Sequence, residues 1–315
     1  MTAELVLTSF GATDVGRARD SNEDAILVRD DLSLYVVADG AGGHASGEVA
    51  SRLAVRSMEN FFGATVRAAH ERPEFDRFGL PSAARRLSQA ILKANRDVVE
   101  IAQTSSHRGM GTTVVAAFFS ARSGLLHVAH VGDSRCYRLR GEHLELMTQD
   151  HSLFTDVIEQ RPDLADDVLE RLPKNIVTRA LGMNVQLRVS LRSHRVVAGD
   201  KYLLCSDGLS NLVSAEEIAD TLDRDEPPEQ LVERFIAMAN AAGGHDNISA
   251  LVIECHGGFE RARPADSVPP GEARGERLSA PEVMILGIEE LDGADPERTP
   301  GLVQRLGELL GPKGT

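Results

Sequence analysis

The sequence predicts an α+β layered fold. Two observations carry that reading: short β-rich runs fall into separate blocks, and the helical stretches come in pairs between them. A parallel βαβ sheet would instead alternate strand and helix along the chain.

In order, residues 4–10 and 25–39 read as strands, the second ending in the apolar Leu34-Tyr35-Val36-Val37-Ala38. That run delivers a carboxylate, Asp39, directly into Gly40-Ala41-Gly42-Gly43, where glycines permit close backbone approach. The intervening GATDVGRARDSNED is a loop loaded with acidic residues and arginines, hence a site candidate. A helix starts near 45–47, with Val49, Ala50, Leu53, Ala54, Met58 and Phe61 at helical spacing. Residues 63–80 read as irregular. A second helix covers about Ser82 to Ala102, striped by Leu87, Ile91, Ala94, Val98 and Ile101.

Four short runs follow: Met110–Phe119, Leu125–Gly132, Ser134–Arg140 and His143–Thr148, joined by turn-like residues into what reads as an antiparallel meander. Residues 150–175 are polar with weak helical pattern. Strands are expected at Leu187–Val197 and Lys201–Cys205, helices at Ser214–Leu222 and Pro228–Ala242, and a last strand at Asn247–Glu254. The main domain, residues 1–256, thus ends where the composition changes. Residues 257–280 are rich in Pro, Gly and charge and read as a linker. The tail 281–315 carries an apolar patch, Val283–Leu286, and an amphipathic Leu302–Leu310, either of which could dock on the main domain or on a partner.

The 315 residues carry a net charge of −14 and 42% hydrophobic residues, with no Trp. Such acidity disfavours unaided nucleic-acid binding, which needs Lys and Arg against phosphates. Cys136, Cys205 and Cys255 lack CxxC spacing and sit in apolar runs, so they read as buried thiols in a reducing cytoplasm. No apolar run approaches the ~20 residues needed to span a bilayer, and the N-terminus lacks a signal-peptide pattern.

The chemistry lies in recurring acids. Asp39 and Asp207 each end an apolar run in Asp-Gly. Asp133 follows LLHVAHVG, Asp246 opens the last strand, and Glu23-Asp24 follow Arg19. An Asp ending a buried strand is unfavourable unless paired or bound. Several in one domain point to hard divalent cations, which prefer oxygen ligands.

RDSNED, VADGAGGHASGE, GMGTT, VGDSR, LLCSDGL and GGHDNIS, in that order, resemble the bacterial branch of the metal-dependent type 2C serine/threonine protein phosphatases, over about residues 5–255. The resemblance implies a four-layer α-β-β-α sandwich, two antiparallel sheets flanked by helix pairs. It implies two core Mn²⁺ or Mg²⁺ ions and a third, weaker one. Asp39 would bridge both core ions; Glu23 and the Gly40 carbonyl would hold the second, Asp207 and Asp246 the first. Asp133 would help Asp207 hold the third. Arg19 would grip the substrate phosphate, and Asp24 would orient the bridging water or the ions' water shell. His44 is the expected proton donor to the leaving group, although Ala-Gly-Gly separates it from Asp39-Gly40 and it could instead orient Asp39 or cap the helix. Segment 150–175 matches a flap that influences which phosphoprotein is accepted. His151, Arg179 and the Gly111-Thr112-Thr113 stretch read as structural, His245 as either supporting the site or exposed, and Ser206 lacks the surroundings of a nucleophile.

The expected activity is hydrolysis of phosphoserine and phosphothreonine on proteins, opposing Hanks-type kinases and including those kinases as partners, by a cytoplasmic monomer with neither membrane nor nucleic acid involved. A phosphatase for one small regulator is a close alternative. A phosphatase fold lacking activity and used as a sensor is the competing class; the retained Arg19, Glu23, Asp39, Asp207 and Asp246 speak against it.

Overall fold

In the computed structural model, the described residues are 5–42, 46–71, 81–103, 107–121, 123–169, 171–173, 175–256 and 284–286. In chain order the elements are β1 (Val6–Asp14), β2 (Asp24–Arg29), β3 (Leu34–Ala41), α1 (Ser46–Glu71), α2 (Ser82–Ala102), β4 (Gly111–Thr112), β5 (Val114–Ser120), β6 (Leu125–Val131), β7 (Arg135–Arg140) and β8 (His143–Leu146). They continue with α3 (Leu153–Gln160), α4 (Asp166–Leu169), β9 (Val189–Arg195), β10 (Lys201–Cys205), α5 (Asp207–Ser210), α6 (Ala215–Leu222), α7 (Pro228–Ala241), β11 (Ile248–His256) and β12 (Met284–Leu286).

The strands form two sheets with every pairing antiparallel. One runs β1-β11-β10-β7-β8; the other runs β12-β9-β6-β5-β3-β2, with β4 attached to β3. Three apolar layers separate four structural ones, as the resemblance implied. Leu34, Val36, Val114 and Ala116 face α1 and α2 through Met58, Phe62, Leu87 and Ile91. Tyr35, Val37, Val115, Phe119, Tyr202, Leu204, Leu251 and Ile253 fill the space between the sheets. Leu203, Cys205, Ala250 and Val252 face α6 and α7 through Ile218, Leu222, Leu231 and Phe235. Central strands are therefore buried on both faces, so their sequences are continuously apolar although the sheets are antiparallel. Phe119 on β5 and Tyr202 on β10 meet edge to face across the gap, ring centroids 5.4 Å apart.

Strand alternation decides where the acids go. On β3 the odd positions Tyr35 and Val37 point between the sheets, and Asp39 continues that series to the sheet's end. Asp24 lies opposite Asp39 in the β2–β3 register and so shares its face. Ser206, after Tyr202 and Leu204, and Ser249, before Leu251 and Ile253, have the same parity. Polar groups thus collect at one end of the inter-sheet layer.

Three expectations need correcting. The 25–39 run is two strands: Asp30–Leu32 form a 3-10 turn closed by Ser33 in a left-handed conformation (φ 51°). Helix α1 continues to Glu71 through part of the stretch read as irregular. The meander is really two hairpins, β5–β6 and β7–β8, in different sheets, because the chain crosses between sheets at Gly132-Asp133-Ser134. The tail patch is seen only at Met284–Leu286, whose backbone pairs with Leu191–Val189 of β9; Leu302–Leu310 and the 257–280 linker lie outside the described residues. No helix among the described residues is long and apolar enough to cross a membrane.

Two buried histidines tie stability to pH. His127 and His130 are held neutral by burial, their pKa values lowered from 6.5 to about 4. An unfolded chain takes up these protons near 6.5 and the folded chain only near 4, so stability present above pH 6.5 is lost as pH falls through that window. Each residue should contribute up to about 3 kcal/mol to that loss. Urea denaturation at pH 7 and pH 4.5 checks this, with a His127→Gln chain expected to lose less over the same interval than wild type.

Candidate metal centre

Five carboxylates from separate elements converge. Glu23 precedes β2, Asp39 nears the end of β3, Asp133 follows β6, Asp207 opens α5, and Asp246 precedes β11. All five are partly accessible to solvent. Asp24, by contrast, is buried. Its Oδ2 accepts hydrogen bonds from Ser206 Oγ and Ser249 Oγ, both at 2.7 Å, while its Oδ1 is buried without a partner.

The backbone at Asp39 is clamped. Thr113 Oγ1 accepts from the Asp39 N–H at 3.0 Å, and the Asp39 carbonyl accepts from Thr113 N–H at 2.8 Å and from Thr112 Oγ1 at 2.9 Å. Gly40 N–H donates to the Glu23 carbonyl. A Cβ on Gly40 would stand 2.1 Å from the carbonyl oxygen of Gly47, so only glycine lets the first turn of α1 approach. A Cβ on Gly47 would stand 2.6 Å from Glu23 Oε2, which places that carboxylate at the positive end of α1.

Asn247 ties the arginine-rich loop to the same place. Its Oδ1 accepts from Glu23 N–H at 2.8 Å, and its Nδ2 donates to the carbonyls of Val15 and Ser21, each at 2.9 Å. Arg19 Nη2 then reaches Asp246 Oδ2 at 2.8 Å, with both side chains partly exposed.

The charges are unbalanced. Burial, followed by the neighbouring charges of Asp24 and Asp207, holds Asp39 well above the usual carboxylate range. Burial, and then Asp207, raises Asp133 to about 6; burial raises Asp24 to about 6 despite its two serine donors. Asp207 and Glu23 are also raised, first by burial. Asp39 and Asp207 are in contact, which is a hydrogen bond only when one of them carries a proton; ionised, Asp207 Oδ1 has no donor. Carboxylates crowded in this way need protons or cations.

The residues fit a hard divalent ion. Unpartnered acceptors at Asp24 Oδ1 and Asp207 Oδ1 and mutual repulsion among oxygens are what such an ion relieves. Among the described residues, no three Asp, Glu, His or Cys side chains close on one point as a ready-made cage. Magnesium-like ions do not require one, since they keep several waters and take one or two carboxylates each.

A family model described as protein phosphatase 2C matches residues 16–252. The chain belongs to the protein phosphatase 2C family. It is a metal-dependent protein serine/threonine phosphatase. It is 36% identical over 246 residues to the serine/threonine phosphatase stp of Listeria monocytogenes, covering 77% of this chain and 93% of that one. It is 30% identical over 245 residues to the protein phosphatase PhpP of Streptococcus pneumoniae, covering 76% and 94%. Among solved structures, the serine/threonine phosphatase PstP/Ppp of Mycobacterium tuberculosis superposes with a TM-score of 0.68 at 31% identity, covering 80% of this chain and all of that one. A PstP catalytic domain in complex with two manganese ions superposes with a TM-score of 0.66 at 31% identity, covering 80% and 99%.

Within this phosphatase the sequence-expected residues Arg19, Glu23, Asp24, Asp39, Gly40, Asp133, Asp207 and Asp246 come together, whereas His44 lies outside the described residues. His245 is exposed. Ser206 is no nucleophile, since its hydroxyl is committed to Asp24. Thr112 and Thr113, expected as packing, also fix Asp39, and Ser249 and Asn247 were missed. For Ser249 the available signal was a small polar residue at an inward position of an otherwise apolar strand; Asn247, just before that strand, carried no such signal. Thr113→Val keeps the shape but removes the hydroxyl shared by Asp39 N–H and Ser134 Oγ. It should cost about 1–3 kcal/mol in thermal unfolding and weaken Mn²⁺ binding roughly tenfold or more by calorimetry.

Proposed function

We propose that the chain hydrolyses phosphoserine and phosphothreonine on proteins at this carboxylate cluster. The observation that carries the assignment of the site is the crowding at Asp39, whose carboxyl is pushed up by burial and by the neighbouring Asp24, Asp207 and Asp133, together with an Asp207 Oδ1 that has no hydrogen-bond partner. In this reading Asp39, Glu23 and the Gly40 carbonyl would hold one Mn²⁺ or Mg²⁺ ion, Asp39, Asp207 and Asp246 would hold another, and Asp133 with Asp207 would hold a weaker third. Bound ions supply positive charge for the phosphoryl oxygens and lower the pKa of a water they hold.

The chain's own groups do the rest. Arg19, on the exposed rim beside Asp246, turns its guanidinium to the phosphate, with which it can make two parallel hydrogen bonds. Asp24 keeps one oxygen on its two serines and offers Oδ1 to a water of the site. Because that carboxylate is fixed and buried, its part is orientation. His44, which follows the Gly42-Gly43 pair in sequence, is our assignment for protonating the serine or threonine alkoxide as it leaves. We assign as substrates the phosphoproteins made by Hanks-type kinases, the kinases included; family membership supports phosphorylated proteins as the substrate class, and the kinase assignment is our own extension of it.

Mn²⁺-dependent hydrolysis of p-nitrophenyl phosphate and of a phosphothreonine peptide is the direct test, and full turnover in excess chelator would refute the reading. Asp207→Asn should reduce kcat by more than the roughly 10–100-fold seen when an outer-shell partner is lost. Arg19→Ala should act differently. It should raise KM for the phosphopeptide while leaving the Mn²⁺ needed for half-maximal binding within about threefold of wild type, since a surface pair such as Arg19–Asp246 contributes at most ~1 kcal/mol.

A further inference from the structure

The crossing between the sheets is held by an imidazole that the reaction does not use. Gly132, the residue before Asp133, has φ 110°, and a Cβ there would stand 2.6 Å from the Thr113 side chain. Its N–H donates to His151 Nδ1 at 3.1 Å, and its carbonyl accepts from the His151 N–H at 2.9 Å. One buried histidine therefore grips both polar groups of that glycine. Because Nδ1 accepts, the ring proton lies on Nε2 and is donated to Ser190 Oγ of β9 at 2.8 Å. The ring stacks on His130 with centroids 4.6 Å apart and planes 15° from parallel; His130 Nε2 donates to the Gln149 carbonyl at 2.7 Å.

His151 is also where the flap segment leaves and returns. Its carbonyl accepts from Thr178 N–H at 2.8 Å, Ser152 bridges Val177, and Leu153 N–H donates to the Ile176 carbonyl at 2.8 Å. Ser152 caps α3 by accepting from Thr155 N–H. The two ends of 153–176 are thus fastened to each other beside the residue that holds Gly132.

We propose that His151 is a positioning residue that fixes the Gly132-Asp133 turn, and with it the Asp133 carboxylate, to the base of the flap segment 153–176. The inference deepens the metal-centre reading above and rests on it. Asp133 reaches the site only through this turn, and a glycine at positive φ offers no side chain to stiffen it. The clamp supplies that stiffness. It also gives the flap a mechanical route to an acidic ligand, because displacing Ser152 or Thr178 pulls on the residue that sets Asp133.

Two substitutions separate the ring's two contacts. His151→Asn places an amide oxygen near the Nδ1 position and can accept from Gly132 while losing Ser190. His151→Gln places its amide near Nε2 and can reach Ser190 while losing Gly132. Mn²⁺ titration by calorimetry and deuterium exchange at the Gly132 amide read the outcome, with thermal unfolding confirming that each chain is folded. The Asn chain should bind Mn²⁺ within about threefold of wild type and keep the Gly132 amide protected. The Gln chain should lose that protection and bind the weakest Mn²⁺ roughly 10–100-fold less tightly, as when an outer-shell partner is removed. In an Asp133→Asn background His151→Gln should add no further loss. Equal losses in Asn and Gln, or a Gln chain indistinguishable from wild type, overturn the clamp. If wild type binds no Mn²⁺ at all, the metal-centre reading falls and this inference with it, whereas unequal Gly132 protection would still show which atom holds the turn.

Discussion

Repulsion among carboxylates crowded at the mouth of the inter-sheet layer is the constraint on which the rest of this structure depends. Two unit charges 4 Å apart interact by about 4 kcal/mol at an effective dielectric near 20. Asp24, Asp39, Asp133 and Asp207 each feel at least one other acid, and each is pushed toward its protonated form. A chain that folds around such a cluster must hold the acids against their own repulsion. It does so with neutral hydrogen-bonding groups: Ser206 and Ser249 donate to Asp24, Thr112 donates to the Asp39 carbonyl, and Thr113 Oγ1 and Asn247 Oδ1 accept from the Asp39 and Glu23 N–H groups. None of these adds charge, so the field at the mouth of the sheets stays negative and available to cations.

The sandwich explains why those acids and not others meet. Strand alternation sends every second residue of β2, β3, β10 and β11 between the sheets, and Asp24, Asp39, Ser206 and Ser249 carry that parity at or just beyond the strand ends on one side. The acids arrive from strand ends and from the turns just beyond them. Close backbone approaches at Gly40 and Gly47 then bring the start of α1 against Glu23. The arginine-rich loop is anchored by Arg17 and Ala18 N–H donating to the Gly244 carbonyl, so Arg19 is carried to Asp246 by backbone contacts made two residues earlier.

Much of this was legible because the governing patterns are local. The apolar run into Asp39 and the stripe of α2 need only neighbouring residues to be read, and α2 spans Ser82–Ala102 as its periodicity indicates. What failed was information that sequence neighbours do not carry. The hairpins β5–β6 and β7–β8 look like one meander because a three-residue turn through a glycine does not announce a change of sheet. The turn at Asp30–Ser33 hides inside a run flanked by apolar residues on both sides. Among site residues, acids were visible by their cost in a buried strand. The serines that hold Asp24 were not, since their partners lie 182 and 225 positions away and a serine in a strand costs little.

The edge-to-face contact of Phe119 and Tyr202 has a consequence beyond packing. It is one of the contacts that fix the spacing between the two sheets, and Asp39 belongs to one sheet while Asp207 hangs from the other. The inter-sheet layer therefore works as a calliper whose jaws are those two carboxylates. A cavity or an extra methyl group there, well away from any reacting atom, would change the jaw opening. In this protein the line between a residue that matters for folding and one that matters for turnover runs through its core.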